Sequence, residues 1–295
     1  VVRQSDGRSC GQGIAAALRC EADCGILFSS IIRSFLSMYS LRMEDEFAQG
    51  QEVLYLFGNN EQELIAAGSI VNYNGEFGFM GLFIVKKEQR SKGLGKLLWE
   101  ARKTKLLACL NPGASIGMDG VKEMQSFYAK GGFKASFADE RHARVGQSFS
   151  FSHKIQPFQQ TDFHLLSEYD TSCFGFNRSE FLKAWIANKS ANTLLYKENS
   201  ELHGYAVIRK TYEGYKIGPL FAENELIAEE LYKACLTMGV GEKITIDIPT
   251  VNSLAIKLVQ TYCTHLTFEC ERMYYPLKPN VDFSKVYGIT TLEFG

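Results

Sequence analysis

Phe83-Ile-Val-Lys-Lys-Glu-Gln-Arg90-Ser-Lys-Gly93-Leu-Gly95-Lys96 joins two apolar patterns of different period. Upstream, Phe79, Met80, Leu82, Phe83, Ile84 and Val85 form a nearly unbroken apolar run; downstream, Leu94, Leu97, Leu98, Ala101 and Leu106 recur at helical spacing. The order predicts a strand, a basic glycine-bearing loop and a helix. The first turn of a helix carries unpaired backbone N–H groups and the positive end of the dipole, so it attracts anions. Glycine lets that backbone approach a ligand closely, because no Cβ intervenes. The stretch therefore predicts an anion cradle, with a pyrophosphate as the best-fitting occupant.

Familiar phosphate loops do not fit it. The dinucleotide fingerprint needs a third glycine, and Leu98 stands there. A P-loop needs Ser or Thr after Gly-Lys, whereas Gly95-Lys96 is followed by Leu97. Kinase signatures such as His-Arg-Asp and Asp-Phe-Gly are absent. Arg90-x-x-Gly93-x-Gly95 after a strand instead resembles the acyl-CoA loop of the GNAT N-acetyltransferases. Downstream, Asn111-Pro112-Gly113 ends the helix, Ser115 to Asp119 reads as a short strand, and Phe127-Tyr128-Ala-Lys-Gly-Gly132-Phe133 follows. That last segment is similar to the Tyr-x-x-x-Gly-Phe end of the fourth GNAT helix. Many members carry Asn seven residues before this Tyr; this chain has Val121, so the Asn contact to the CoA arm is not expected.

The chain has 295 residues, is 45% hydrophobic, and carries a net charge of −1 with a pI near 6.6. This length accommodates one large core or two ordinary ones. The balance gives no overall attraction to nucleic acid or a membrane surface. Charge is uneven, however: Lys86 to Lys105 contains eight Lys or Arg against Glu88 and Glu100. Lys86, Lys87, Arg90, Lys92 and Lys96 fall in the loop and suit phosphate, whereas Arg102, Lys103 and Lys105 read as a solvated helix face. None of the eight cysteines forms a Cys-x-x-Cys pair, and the five histidines lack ligand spacing, so no metal is expected. Reduced thiols and the absence of an apolar run long enough to span a bilayer predict a soluble, cytoplasmic chain.

The rest of the first half predicts helices within Ile26 to Phe47, a hairpin from Val53–Phe57 to Leu64–Val71, a turn at Asn72–Gly75, and strands near Phe137 and Ser148–Phe151. The second half repeats this order. Asn192–Tyr196 and Gly204–Arg209 form a hairpin, Gly214–Phe221 a strand, Ile227–Leu236 a helix, and Lys243–Ile248 another strand. Asn252-x-x-Ala255 opens a further helix and resembles the start of the GNAT fourth helix, but Val259 replaces the Tyr. The second loop, Ala222-Glu-Asn-Glu225, is acidic and lacks glycine, so it repels pyrophosphate. The expected architecture is α/β (mixed α+β): two tandem GNAT-like domains, each a mixed, mostly antiparallel sheet flanked by helices. Residues 1–152 form the catalytic copy; residues 153–295 form a degenerate copy that completes the acceptor site, with the joint near His153–Gln160.

The resemblance implies direct transfer of an acetyl group from acetyl-CoA, bound as co-substrate, to a primary amine on a small molecule or peptide. A backbone N–H of Phe83, Ile84 or Val85 would polarise the thioester carbonyl. The pantetheine arm would lie in the splay beside that strand. Arg90, Ser91, Lys92, Gly93, Leu94, Gly95 and Lys96 would hold the pyrophosphate. Tyr128 is expected as general acid for the departing thiolate. Asp119, with Glu76 as runner-up, is expected as base for the protonated amine. Trp185, Tyr205, Tyr212 and Tyr215 are candidates for the wall of the acceptor site. A monomer or weak homodimer is expected. The alternatives are a non-catalytic CoA-binding sensor or scaffold, and transfer of a longer acyl group.

Overall fold

The computed structural model describes residues 2–3, 51–57 and 64 (backbone only for these) and 65–295; the helices expected within Ile26–Phe47 lie outside the described residues. Packing divides the chain into two compact units, Val1–Ala114 and Ser115–Gly295.

The first unit is an antiparallel sheet with one helix among its described residues. Strands β1 (Val2–Arg3), β2 (Gln51–Phe57) and β3 (Leu64–Tyr73) pair in order. A tight turn with Asn74 at φ 52° and Gly75 at φ 78° reverses the chain, as the Asn-Gly pair predicts. The apolar run that follows is not one strand. It divides into β4 (Phe77–Phe79) and β5 (Phe83–Val85), both paired with β3 and separated by a break at Met80–Leu82. Helix α1 (Leu94–Cys109) packs on β3 through Leu98, Trp99, Arg102 and Leu106. Leu97, expected on that face, is 48% exposed.

The second unit begins with β6 (Ser115–Gly120), the short helix α2 (Gln125–Lys130) and β7 (Lys134–Val145). It continues through β8 (Ile155–Pro157), α3 (Phe163–Phe174), α4 (Ser179–Ile186), β9 (Ala191–Glu198), β10 (Glu201–Thr211) and β11 (Gly214–Ala222). It closes with α5 (Glu225–Met238), β12 (Lys243–Pro249), α6 (Ser253–Thr261), β13 (His265–Tyr275) and β14 (Val286–Gly288). The strand order is β6-β13-β7-β12-β11-β10-β9-β8, with β14 beside β11. Within the second unit β11 and β12 run parallel and the other described strand pairs run antiparallel, as do the described pairs within the first unit, so each unit is mostly antiparallel, as expected. Ser148–Phe151 is not a strand.

In the middle of this sheet one strand from each half changes places with the other. β13, late in the chain, pairs with β6; β7, early in the chain, pairs with β12; and β13 and β7 pair with each other. Packing units and sequence repeats are therefore different divisions: residues 115–145 pack with the second half because their strands are interleaved with it. Two cross-strand ion pairs mark the exchange. Arg272 of β13 lies opposite Asp119 of β6, with Nε to Oδ1 at 2.5 Å and Nη2 to Oδ2 at 3.1 Å. Arg141 of β7 lies opposite Asp247 of β12, with the corresponding distances 2.6 and 2.9 Å. Both forks are bidentate, the geometry in which Arg and carboxylate match best.

Asp247 also meets the Lys216 Nζ at 2.6 Å. Burial raises its pKa, but the adjacent charges of Lys216 and Arg141 outweigh this and hold it well below the usual carboxylate range. A folded-state pKa below the unfolded one adds stability that is complete above the unfolded pKa and is lost as pH falls toward the folded one. The gap in urea midpoint between wild type and Asp247→Asn should thus be constant from about pH 7 to 5 and narrow below about pH 4. A gap independent of pH down to about pH 3 would contradict this ion pairing.

Candidate functional site

Gly93 is the N-cap of α1, at φ 80° and ψ −8°, with no side chain capping the helix. This left-handed geometry costs a side-chain-bearing residue about 1–2 kcal/mol, so the glycine is required by backbone shape. A Cβ built there meets nothing within 4 Å, so the space in front of the first turn is open. The first turn contains no acidic residue. Lys87, Arg90, Ser91, Lys92, Gly93 and Lys96 are all exposed. Arg90 donates from Nε to the Val85 carbonyl at 3.1 Å, and Lys92 Nζ to Gln89 Oε1 at 3.0 Å, which folds the loop back on the end of β5. Ser91, at φ 62°, makes the tight bend. Open N–H groups, a positive surround and no Cβ make a cradle fitted to an anion.

Behind the cradle, β5 hydrogen-bonds to β3 in the register Ala66↔Val85, Ala67↔Ile84 and Gly68↔Phe83. Phe83 packs on Trp99, ring centroids 6.1 Å apart. A Cβ on Gly95 would stand 3.5 Å from Phe83 and Val85, ordinary contact, so this glycine brings the helix start close to β5.

In the other unit, the corresponding strand-loop-helix is built to the opposite effect. β11 and β12 pair in parallel only from Tyr215–Ile217 to Ile244–Ile246. Beyond that they part, and β14 fills the gap, with Leu220↔Gly288 and Phe221↔Val286 on one side and the Ile289 N–H donating to the Asp247 carbonyl (2.9 Å) on the other. Asn252, the N-cap of α6, donates from Nδ2 to the carbonyls of Val286 (3.0 Å) and Ser284 (3.3 Å). The head of α5 is closed by its own N-cap, Asn224, whose side chain accepts from the Ile227 N–H at 3.1 Å. Glu223 and Glu225 flank it.

Two stretches of the chain match the profile of an acetyltransferase (GNAT) domain, residues 11–149 and 166–288. The chain belongs to the GNAT acetyltransferases, as a tandem. Holothin acyltransferase of Pseudoalteromonas sp. (strain SANK 73390) is 27% identical over 83% of this chain and 82% of its own length. The uncharacterized N-acetyltransferase YitH of Bacillus subtilis (strain 168) is 24% identical over 78% of this chain and 82% of its own. In fold, a crystal structure assigned to an acetyltransferase of Pyrococcus horikoshii superposes with a TM-score of 0.76, covering 100% of this chain and 95% of that one at 21% identity. A tandem GNAT protein from the clavulanic acid biosynthesis pathway has a TM-score of 0.55 over 84% of this chain and 95% of its own, at 10% identity. The tandem GNAT chain is thus a transferase of acyl groups, in a family whose co-substrate is acetyl-CoA.

Of the remaining residues of this GNAT tandem singled out in sequence, Glu76 and Arg102 lie in the first unit and the others in the second. Tyr128 lies on α2, 4% exposed, beside Phe127 and Gly120; a Cβ on Gly120 would stand 2.8 Å from its ring. The segment after it ends as the motif requires: Gly132 sits at φ 90°, and Phe133 packs on Tyr275 of β13 at 5.6 Å. Asp119 has a side chain only 2% exposed, with both oxygens on Arg272. Burial raises its pKa against the pull of Arg272, and Asp139, which shares Arg272 at 3.0 Å, is pushed up further by burial and by Asp119. One guanidinium between two buried carboxylates leaves Asp119 engaged as an ion-pair partner, not poised toward solvent. Glu76 is exposed in the β3–β4 turn.

Two expected wall residues are core. Trp185 is 5% exposed, its Nε1 donating to the Gly218 carbonyl, and Tyr205 is 0% exposed, donating to Asp170. Their apolar bodies fill the space between α3, α4 and the sheet. Tyr212 is 77% exposed, and Tyr215 is half-buried. Sequence reasoning also missed Arg102. Read as a solvated helix residue, it is 1% exposed. The signal was available: it lies four residues after Leu98 and four before Leu106, in the middle of the buried stripe. Among the described residues no group of His, Cys, Asp or Glu is arranged to hold a metal.

Gly120→Ala tests the packing around Tyr128. The new methyl should displace the ring and destabilise the chain by about 1–3 kcal/mol in urea unfolding. An unchanged midpoint would show that the ring is not held there.

Proposed function

We propose that this chain transfers an acetyl group from acetyl-CoA directly to a primary amine, on a small molecule or peptide. The observation that carries this reading is the open, uncapped and basic head of α1 behind Gly93. The N–H groups of Ser91 to Lys96 would receive the pyrophosphate, with Arg90, Lys92 and Lys96 supplying positive charge. A backbone N–H in Phe83–Val85 would stabilise the charge that develops on the thioester oxygen as the amine attacks. Tyr128 is proposed as the acid that protonates the departing thiolate; its fixed, buried position on α2 supports a single directed phenol. Asp119 is better suited to holding Arg272 than to taking a proton from the amine, and no described carboxylate is preferred in its place.

The second copy is proposed to bind no CoA. Its splay is filled by β14, and its helix head is capped by Asn224 and flanked by two acids. The free thiols Cys173, Cys235 and Cys270 support a reducing, cytoplasmic address, and no described helix is long and apolar enough to cross a membrane.

Calorimetry with CoA should give one site per chain, and Gly93→Glu should abolish it by filling the cradle with a carboxylate. With acetyl-CoA, an amine panel and a thiol reagent, wild type should release CoA. Tyr128→Phe should lower turnover roughly 10²-fold at unchanged CoA affinity. Tight CoA binding with no thiol release on any amine would favour a non-catalytic sensor; two sites per chain would contradict the closed second copy.

A further inference from the structure

Arg102 lies within the apolar face of α1, between Leu98 and Leu106, and is 1% exposed. A buried guanidinium persists only when its donors are matched. Here Nε and Nη2 both donate to the Ser69 carbonyl, at 3.2 and 2.6 Å, and Nη2 also donates to the Gly81 carbonyl at 2.7 Å. These two carbonyls converge on Nη2 beside the break between β4 and β5. Gly81 lies within the break, and Ser69 lies opposite it on β3, where its N–H donates to the Leu82 carbonyl at 2.9 Å. Space for the guanidinium is reserved by Gly68, where a Cβ would stand 2.5 Å from Arg102 Cδ. The Phe83 ring, first residue of β5, lies 5.4 Å from the guanidinium carbon.

We propose that Arg102 is a positioning residue for acyl transfer. It sets the direction of the Phe83–Val85 backbone by holding the strand break open, and ties that backbone to the same helix whose head forms the anion cradle. The inference rests on the reading of β5 and the α1 loop as the acyl-CoA site. A regular antiparallel ladder would satisfy Ser69 and Gly81 with strand N–H groups, and restoring it would shift the register of β5. A one-residue shift turns every N–H of a strand to the other edge. The forked donor prevents this by satisfying both carbonyls in the broken geometry. Lysine cannot reproduce it, because its single ammonium has no planar fork.

The test compares wild type, Arg102→Met, Arg102→Lys and Gly68→Ala as full chains. Gly68→Ala leaves the guanidinium chemically intact but crowds it out of place. CoA affinity is read by calorimetry, and kcat and KM with acetyl-CoA and an amine that wild type uses. Because the loop is untouched, CoA affinity should stay within about 3-fold, while kcat falls at least ~10-fold in Arg102→Met and Gly68→Ala and less in Arg102→Lys. Wild-type kcat in a folded Arg102→Met chain that binds CoA normally would overturn the positioning role alone. Parallel loss of CoA affinity, kcat and melting temperature in all three variants would also overturn it, leaving a general structural role. Failure of wild type to bind CoA would instead overturn the acyl-CoA reading on which the proposal stands.

Discussion

A buried backbone N–H or carbonyl must find a partner, and the two halves of this chain meet that requirement in opposite ways. At the head of α1 the N–H groups face open space with no side chain to cap them. At the head of α5 the Asn224 side chain closes the same position. Where β11 and β12 part, β14 supplies the missing strand, and Asn252 takes up the carbonyls of Ser284 and Val286. At the break between β4 and β5 a guanidinium takes the carbonyls instead. One copy thus keeps uncapped backbone donors at its helix head, and the other has used its own chain to satisfy them.

The exchange of β7 and β13 ties the two sequence repeats together. Each exchanged strand delivers an arginine to the aspartate directly opposite on the strand it joins, Arg272 to Asp119 and Arg141 to Asp247. Removing one partner of a buried pair leaves a charge without solvation, which typically costs 3–5 kcal/mol, so the two forks make alternative registers costly. They also fix β13 as a central strand beside β6 and β7.

What could be read from sequence was local. Gly93 and Gly132 announce positive φ, Pro112 and Gly113 end a helix, and the acidic Ala222–Glu225 loop contrasts with Arg90–Lys96 without any knowledge of tertiary structure. The unread features are non-local or hidden by residue type. Asp119 meets Arg272 only because a late strand returns into an early sheet, and β13 and β14 carry no hairpin signal that assigns them neighbours. Arg102 was assigned to solvent because it is charged and sits among lysines; periodicity argued otherwise, and periodicity was right. The break at Met80–Leu82 was hidden because its apolar residues differ little from those of the strands around it.

The central claim is that one backbone cradle, at the head of α1, takes the acyl carrier. Amide hydrogen exchange with and without CoA addresses it residue by residue. The account predicts slowed exchange in peptides covering Ser91–Lys96 and Phe83–Val85, and no change across Ala222–Leu236. Slowing confined to Ala222–Leu236, or none at Ser91–Lys96 under saturating CoA, would contradict it.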